Sequence, residues 1–219
     1  LRKAGLDEAA GDGDVLGTLF EAFLRYGNSS KELGVVLTPG HLCRFAAAAL
    51  AICEDDIVYD PAAGTGGFLV EAINAVDPRH ARAFASKRVF AAEVSPQLGA
   101  LAAINLHLRA GAKGRIHADS CFASRLSADG RRAKYPRFVP AAAGGKPERR
   151  VSRVLMNPPF SLRDSREVET AFVDHALAQM VEGGLLFAVV PSSILYDDRH
   201  AAWRAALLQD HALRAVVLL

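Results

Sequence analysis

The sequence predicts an α/β fold, a doubly wound and mainly parallel sheet with helices on both faces. Three observations predict it. Short apolar runs rich in β-branched residues alternate with longer helical stretches from Pro39 onward, the pattern of consecutive strand–helix units. A glycine-rich turn, Gly64-Thr65-Gly66-Gly67, follows the first strand-like run and opens a helix. Asp60, Glu93, Asp119 and Asn157 each fall at the end of a predicted strand, where an open parallel sheet binds its ligands.

The elements follow in order. Leu16, Leu19, Phe20, Phe23 and Leu24 recur at helical spacing between Val15 and Tyr26, which predicts an amphipathic helix ended by Gly27-Asn28-Ser29-Ser30. Residues 1–32 are thus expected to be a helical lead-in, and 33–219 the main domain. Thr38 stands where an N-cap would be, with Pro39 in the first turn of a helix reaching about Ala51. Strand one is predicted over Asp56–Asp60, a helix over Gly67–Val76 and strand two over Arg88–Glu93. Ser95-Pro96 starts a helix to about Ala110, and Arg115–Ala118 is a short third strand. Val151–Met156 reads as strand four, Glu167–Val181 as a helix and Leu185–Val190 as strand five. Arg199–Gln209 reads as a helix, and Leu213–Leu219 as strand six.

Composition narrows the class. At 219 residues and 51% hydrophobic, the chain can bury a full core, so disorder is not expected. A net charge of +2 is too small to predict a nucleic-acid partner by itself. The three cysteines, Cys43, Cys53 and Cys121, lack the spacing of a zinc site or redox dithiol, so no metal is expected and a reducing cytoplasm suits them. The most apolar stretch, Phe45–Cys53, falls well short of the roughly 18 residues that span a bilayer. The chain starts at Leu1 without the layout of a signal peptide and is expected to be part of a longer protein.

Positive charge is concentrated instead in one segment. Residues 123–150 carry Arg125, Arg131, Arg132, Lys134, Arg137, Lys146, Arg149 and Arg150 against Asp129 and Glu148, with prolines and glycines interrupting any long element. This insertion reads equally as a contact for DNA phosphates beside an active cleft or as a solvated surface loop.

The chemistry lies in two motifs. Asp60-Pro61-Ala62-Ala63-Gly64-Thr65-Gly66-Gly67 places an acid at a strand end and then glycines that let backbone pass close to a ligand. By itself such a turn fits S-adenosylmethionine or another nucleotide about equally, although its spacing departs from the dinucleotide fingerprint. Asn157-Pro158-Pro159-Phe160 sets an amide, two φ-locked prolines and a ring at the end of strand four, a rigid edge for a flat, amine-bearing base. Either motif alone is weak; their order and placement carry the reading.

Together with Thr38-Pro39 upstream and Gly183-Gly184 to Pro191 downstream, these motifs make the chain resemble S-adenosylmethionine-dependent amino-methyltransferases. The likeness, over about Leu33–Leu219, is greatest to the modification subunits of type I restriction–modification systems. Leu37 departs from the aromatic that usually precedes the threonine. The resemblance implies a class I methyltransferase fold, Rossmann-like and truncated before a seventh strand, and N6-adenine DNA methylation. It implies S-adenosylmethionine held by Thr38, Pro39, Asp60, Ala62, Gly64, Thr65, Gly66, Gly67, Glu93, Asp119 and Phe122. In that picture Asp60 takes the methionine amine, Glu93 the ribose hydroxyls and Asp119 the adenine amine, and Phe122 packs on the ring. Asn157, Pro158, Pro159 and Phe160 would form the catalytic edge. The implied partners are double-stranded DNA, a specificity subunit and a restriction subunit. An RNA-base or protein-glutamine methyltransferase and an inactive cofactor-binding scaffold remain the alternatives.

Overall fold

The computed structural model describes residues 37–122, 151–159 and 168–219. The predicted lead-in helix, the basic insertion and Phe160 lie outside the described residues. The elements are α1 (Gly40–Ala49), β1 (Val58–Asp60), α2 (Gly67–Asn74), α3 (Ala81–Arg88), β2 (Val89–Ala92), α4 (Pro96–Ala110), β3 (Arg115–His117), β4 (Val151–Met156), α5 (Glu169–Gln179), β5 (Met180–Ala188), α6 (Ser193–Tyr196) and α7 (Ala201–Asp210), with a 3-10 turn over Asp198–His200 before α7. The five strands form a wholly parallel sheet in the order β3-β2-β1-β4-β5. The chain winds outward from β1 to β3, then crosses back to β4. The reversal opens a crevice between the carboxyl ends of β1 and β4.

Both sheet faces are covered, which explains why the central strands read as continuous apolar runs. Val58, Val89, Ala91 and Leu155 point into a core built with Cys43, Ala46, Leu69, Ile73, Phe84 and Leu106 of α1 to α4. Their alternates Tyr59, Phe90, Ala92, Val154 and Met156 point into a second core with Phe172, Val173 and Ala176 of α5. Trp203 and Leu207 of α7 pack against that second core, and Trp203 Nε1 donates to Asp174 Oδ1 at 2.9 Å. At the amino end of the sheet, Arg153 Nη1 lies 3.2 Å from the buried Asp56, which also accepts from Ser152 Oγ and the Cys53 amide.

Several elements differ from the expectation. The α1 cap is one residue later than predicted: Pro39 occupies the cap position in extended geometry, and the Thr38 hydroxyl makes no helix cap. α3 was not predicted, because it lies on the surface and buries only Phe84 and Ala85, too few for an apolar period. β5 begins at Met180, before Gly183-Gly184, with a register shift against β4 between Val151 and Arg153. Gly184 has no room for a side chain there, since a Cβ would meet Met180 Cε at 2.8 Å and two backbone oxygens. Strand six is not formed. Leu213–Leu219 have no ladder partner among the described residues, and Leu218 and Leu219 are about four-fifths exposed. Its apolar composition suits a strand, but composition alone does not dock a segment on the free edge of β5, where a strand would have to exchange its hydrogen bonds.

Candidate active site

The first motif folds as its residues dictate. β1 ends at Asp60, whose Oδ1 accepts the Ala62 amide at 2.9 Å and turns the chain. Gly64 and Gly66 then adopt positive φ, +54° and +84°, a region that strains other residues. At Gly66 a Cβ would lie 3.2 Å from both Ala102 and Leu106, so this glycine lets the loop pack on α4. At Gly64 a Cβ would meet nothing within 4 Å. That position opens onto space rather than protein.

Glu93 immediately follows β2 and is buried. Its two oxygens accept the Gly64 amide at 2.8 Å and the Ser95 amide at 2.8 Å, tying the glycine loop to the start of α4. Asn105 of α4 donates from Nδ2 to the Thr65 carbonyl at 2.9 Å and holds the loop from its other side. Asn105 was not singled out in the sequence; the signal was an amide placed between Ala102 and Leu106 on the buried face of an apolar helix.

The second motif stands directly across the crevice. Asn157 follows the last residue of β4, and its Nδ2 donates to Thr38 Oγ1 at 3.0 Å. Pro158 is buried and Pro159 exposed. A small, open cleft is lined by Leu37, Thr38, Ala62, Ala63, Gly64, Thr65, Gly67, Phe68 and Asn157. One cavity therefore joins the Thr-Pro segment, the glycine loop and the Asn157 amide. Asp60 and Glu93 do not line it; they grip the loop that does. Pro39, Asp119 and Phe122 also lie outside the lining. Asp119 is exposed beyond β3, and the Phe122 ring packs edge-on against Phe172, centroids 4.7 Å apart, and against His175.

Two side-chain oxygens here are buried with no hydrogen-bond partner, Asp60 Oδ2 and Asn157 Oδ1. Unpaired buried acceptors are costly; Asn157 lines the cleft, so its oxygen faces a place where a ligand donor can sit, whereas Asp60 Oδ2 lies behind the loop that lines it. Burial pushes the Asp60 carboxyl up to about 8, and the nearby Glu93 charge adds to this, while the Ala62 amide opposes it. Beneath Asp60, Tyr59 Oη and His175 Nε2 are 2.9 Å apart, joining β1 to α5. Burial lowers His175 to about 4 and keeps it neutral. Among the described residues no cluster of His, Cys, Asp and Glu is arranged to hold a metal, and no helix is long and apolar enough to cross a membrane.

A parallel sheet in this order, with an acid-and-glycine loop after β1 and an amide-proline motif after β4, defines the class I fold of S-adenosylmethionine-dependent methyltransferases. The chain belongs to the N-6 DNA methylase family, whose sequence profile matches residues 11–219. It is 31% identical over 220 residues to the type II restriction enzyme and methyltransferase RM.BcgI of Heyndrickxia coagulans, across 95% of this chain and 32% of that protein. Type II methyltransferase M.MamI of Microbacterium ammoniaphilum is 44% identical over 78 residues, 31% of this chain and 21% of that one. The type I methyltransferase subunit from Streptococcus thermophilus shares the fold at a TM-score of 0.59 and 19% identity, over 91% of this chain and 44% of that one. The chain thus spans about a third of the first curated relative and about a fifth of the second.

Proposed function

We propose that the chain is the catalytic domain of an N6-adenine DNA methyltransferase, working as the modification component of a restriction–modification system in the cytoplasm. The observation that carries this reading is the shared cleft, in which the glycine loop and Asn157 face one another across the ends of adjacent strands. The donor would be S-adenosylmethionine, which supplies an electrophilic methyl group when bound.

The residues present fit that donor. Asp60 holds a buried oxygen without a partner, suited to an ammonium group, and an ammonium there would restore its ionised form. Gly64 leaves open the space that a side chain would fill. Glu93 uses one lone pair of each oxygen on loop amides, and a carboxylate oxygen can accept a second bond, here from ribose hydroxyls. Ala62, Thr65 and Gly67 would complete the slot, with Thr38, Pro39, Gly66, Asp119 and Phe122 assigned to the same side by resemblance.

On the acceptor side, the lone pair of an exocyclic adenine amine is delocalised into the ring, so the amine must be drawn out of plane before it attacks. Asn157 Oδ1 would accept one amine hydrogen and the Pro158 carbonyl the other, with Pro159 fixing the backbone that presents that carbonyl. Phe160 would stack on the extruded base, worth about 1–3 kcal/mol and comparable to the cost of unstacking it. No general base is assigned, since the proton can leave to solvent after transfer.

Labelled methyl transfer by the full-length protein to double-stranded DNA, tRNA or protein tests the reading. Transfer to DNA is expected, and Asn157→Ala should lower it by roughly 100-fold or more while leaving cofactor affinity near normal, because the lost contact forms with the reacting amine. Asp60→Ala should weaken cofactor binding instead. An unchanged rate in Asn157→Ala would refute the catalytic assignment. The type I resemblance favours separate specificity and restriction subunits. The likeness to RM.BcgI, named as both restriction enzyme and methyltransferase, favours both activities in one polypeptide, and the length of the full protein decides between them.

A further inference from the structure

We propose that Thr38 is a positioning residue for the acceptor chemistry: its hydroxyl oxygen holds the Asn157 amide with the nitrogen turned away and the oxygen presented to the base. The proposal rests on the methyl-transfer reading, but moves Thr38 from the donor side of the site to the acceptor side. Three facts support it. Asn157 Nδ2 donates to Thr38 Oγ1 at 3.0 Å. Asn157 Oδ1, on the opposite limb of the same amide, is buried without a partner. Both residues line the one cleft.

A carboxamide can rotate by half a turn with little change in shape, yet the two orientations differ completely as hydrogen-bonding surfaces. A base amine is a donor, so it needs Oδ1 toward it; the rotated amide would set NH2 against NH2. The productive orientation has a requirement of its own, because Nδ2 then points into protein and needs an acceptor there. Thr38 Oγ1 is that acceptor. Its position follows from the start of α1: Pro39 takes the helix-cap position, so the Thr38 hydroxyl is left to face β4 rather than a helix amide.

Thr38→Val keeps the side-chain volume and removes the acceptor. At saturating S-adenosylmethionine, the single-turnover rate of methyl transfer by the full-length protein should fall about 10-fold, the scale of one lost positioning hydrogen bond, while the dissociation constant for S-adenosylhomocysteine stays within about 2-fold. Thr38→Ser, which retains the oxygen, should recover most of the rate. If Thr38→Val fails to fold, Thr38→Ala against Thr38→Ser makes the same comparison.

A second readout needs no turnover. The Asn157 side-chain amide protons, assigned by their disappearance in Asn157→Ala, should exchange with solvent faster in Thr38→Val than in the native protein. The proposal is overturned if the rate survives the loss of the oxygen, if the loss appears in cofactor affinity alone, if serine fails to rescue, or if exchange is unchanged. Native protein that methylates no DNA would instead sink the functional reading, and the exchange experiment would still judge Thr38.

Discussion

Asp60, the proposed contact for the cofactor amine, also carries a stability cost. Its carboxyl is raised from 3.8 to about 8 by burial, so between those values the folded protein holds a proton that the unfolded chain has released. Stability without cofactor should therefore fall as pH rises from about 4 to 8. Chemical denaturation across that range should show a flatter fall in Asp60→Asn, which cannot ionise. Cofactor affinity should run the other way in the native protein, strengthening toward pH 8 as the carboxylate forms, and calorimetric titration should lose this dependence in Asp60→Asn. His175 acts in the opposite sense: lowered to about 4 from 6.5, it costs stability as pH falls through that window, because the unfolded chain takes up a proton first. Tyr59→Phe removes the hydroxyl from a buried imidazole and should cost about 1–3 kcal/mol in urea unfolding. Asp60 and Asn157 were legible as residues, because each stands beside glycines or prolines at a strand end. The Thr38–Asn157 bond was not, since the two positions are 119 residues apart and only the fold joins them.

At the scale of elements, the sequence was most legible where local chemistry acts alone. α4 begins at Pro96 with Ser95 Oγ accepting the Leu98 amide and ends at Ala110, where the sequence places both its start and its end, and Gly111 caps it at φ +66°. α3 and strand six were misjudged for opposite reasons: α3 buries too little to leave an apolar period, and the final segment is apolar but joins no ladder among the described residues. The glycine loop depends on packing as well as on turn chemistry. Gly66→Ala should destabilise the protein by about 1–3 kcal/mol in thermal or chemical unfolding, through strained φ and a clash with Ala102 and Leu106. Gly64→Ala should cost less stability, having open space for its methyl, but should weaken cofactor binding in titration by obstructing the slot. At the other end of the sheet, Asp56→Ala leaves the mostly buried Arg153 with only the Leu50 and Ser152 carbonyls and removes acceptors from Ser152 and Cys53, so a loss of about 3 kcal/mol is expected.

For the whole molecule, the sheet brings the two motifs to one crevice, and a ligand that fills it should stabilise the protein. At a cofactor concentration about 100 times the dissociation constant, linkage gives roughly 2.7 kcal/mol, a thermal shift of about 5–10 °C for a domain of this size. Differential scanning fluorimetry should show that shift in the native protein and in Asn157→Ala, and lose it in Asp60→Ala. The strand–helix alternation and the residues that bring chemistry to the strand ends could be read from the chain alone, because they depend on near neighbours, and a parallel sheet follows from that alternation because each helix carries the chain back to start the next strand in the same direction. Only the tertiary structure decided that Glu93 and Asn105 clamp the glycine loop, that Phe122 packs against α5 and that Thr38 reaches the Asn157 amide. Those contacts join distant segments, and burial in two packed layers selects them with no periodic trace in the chain.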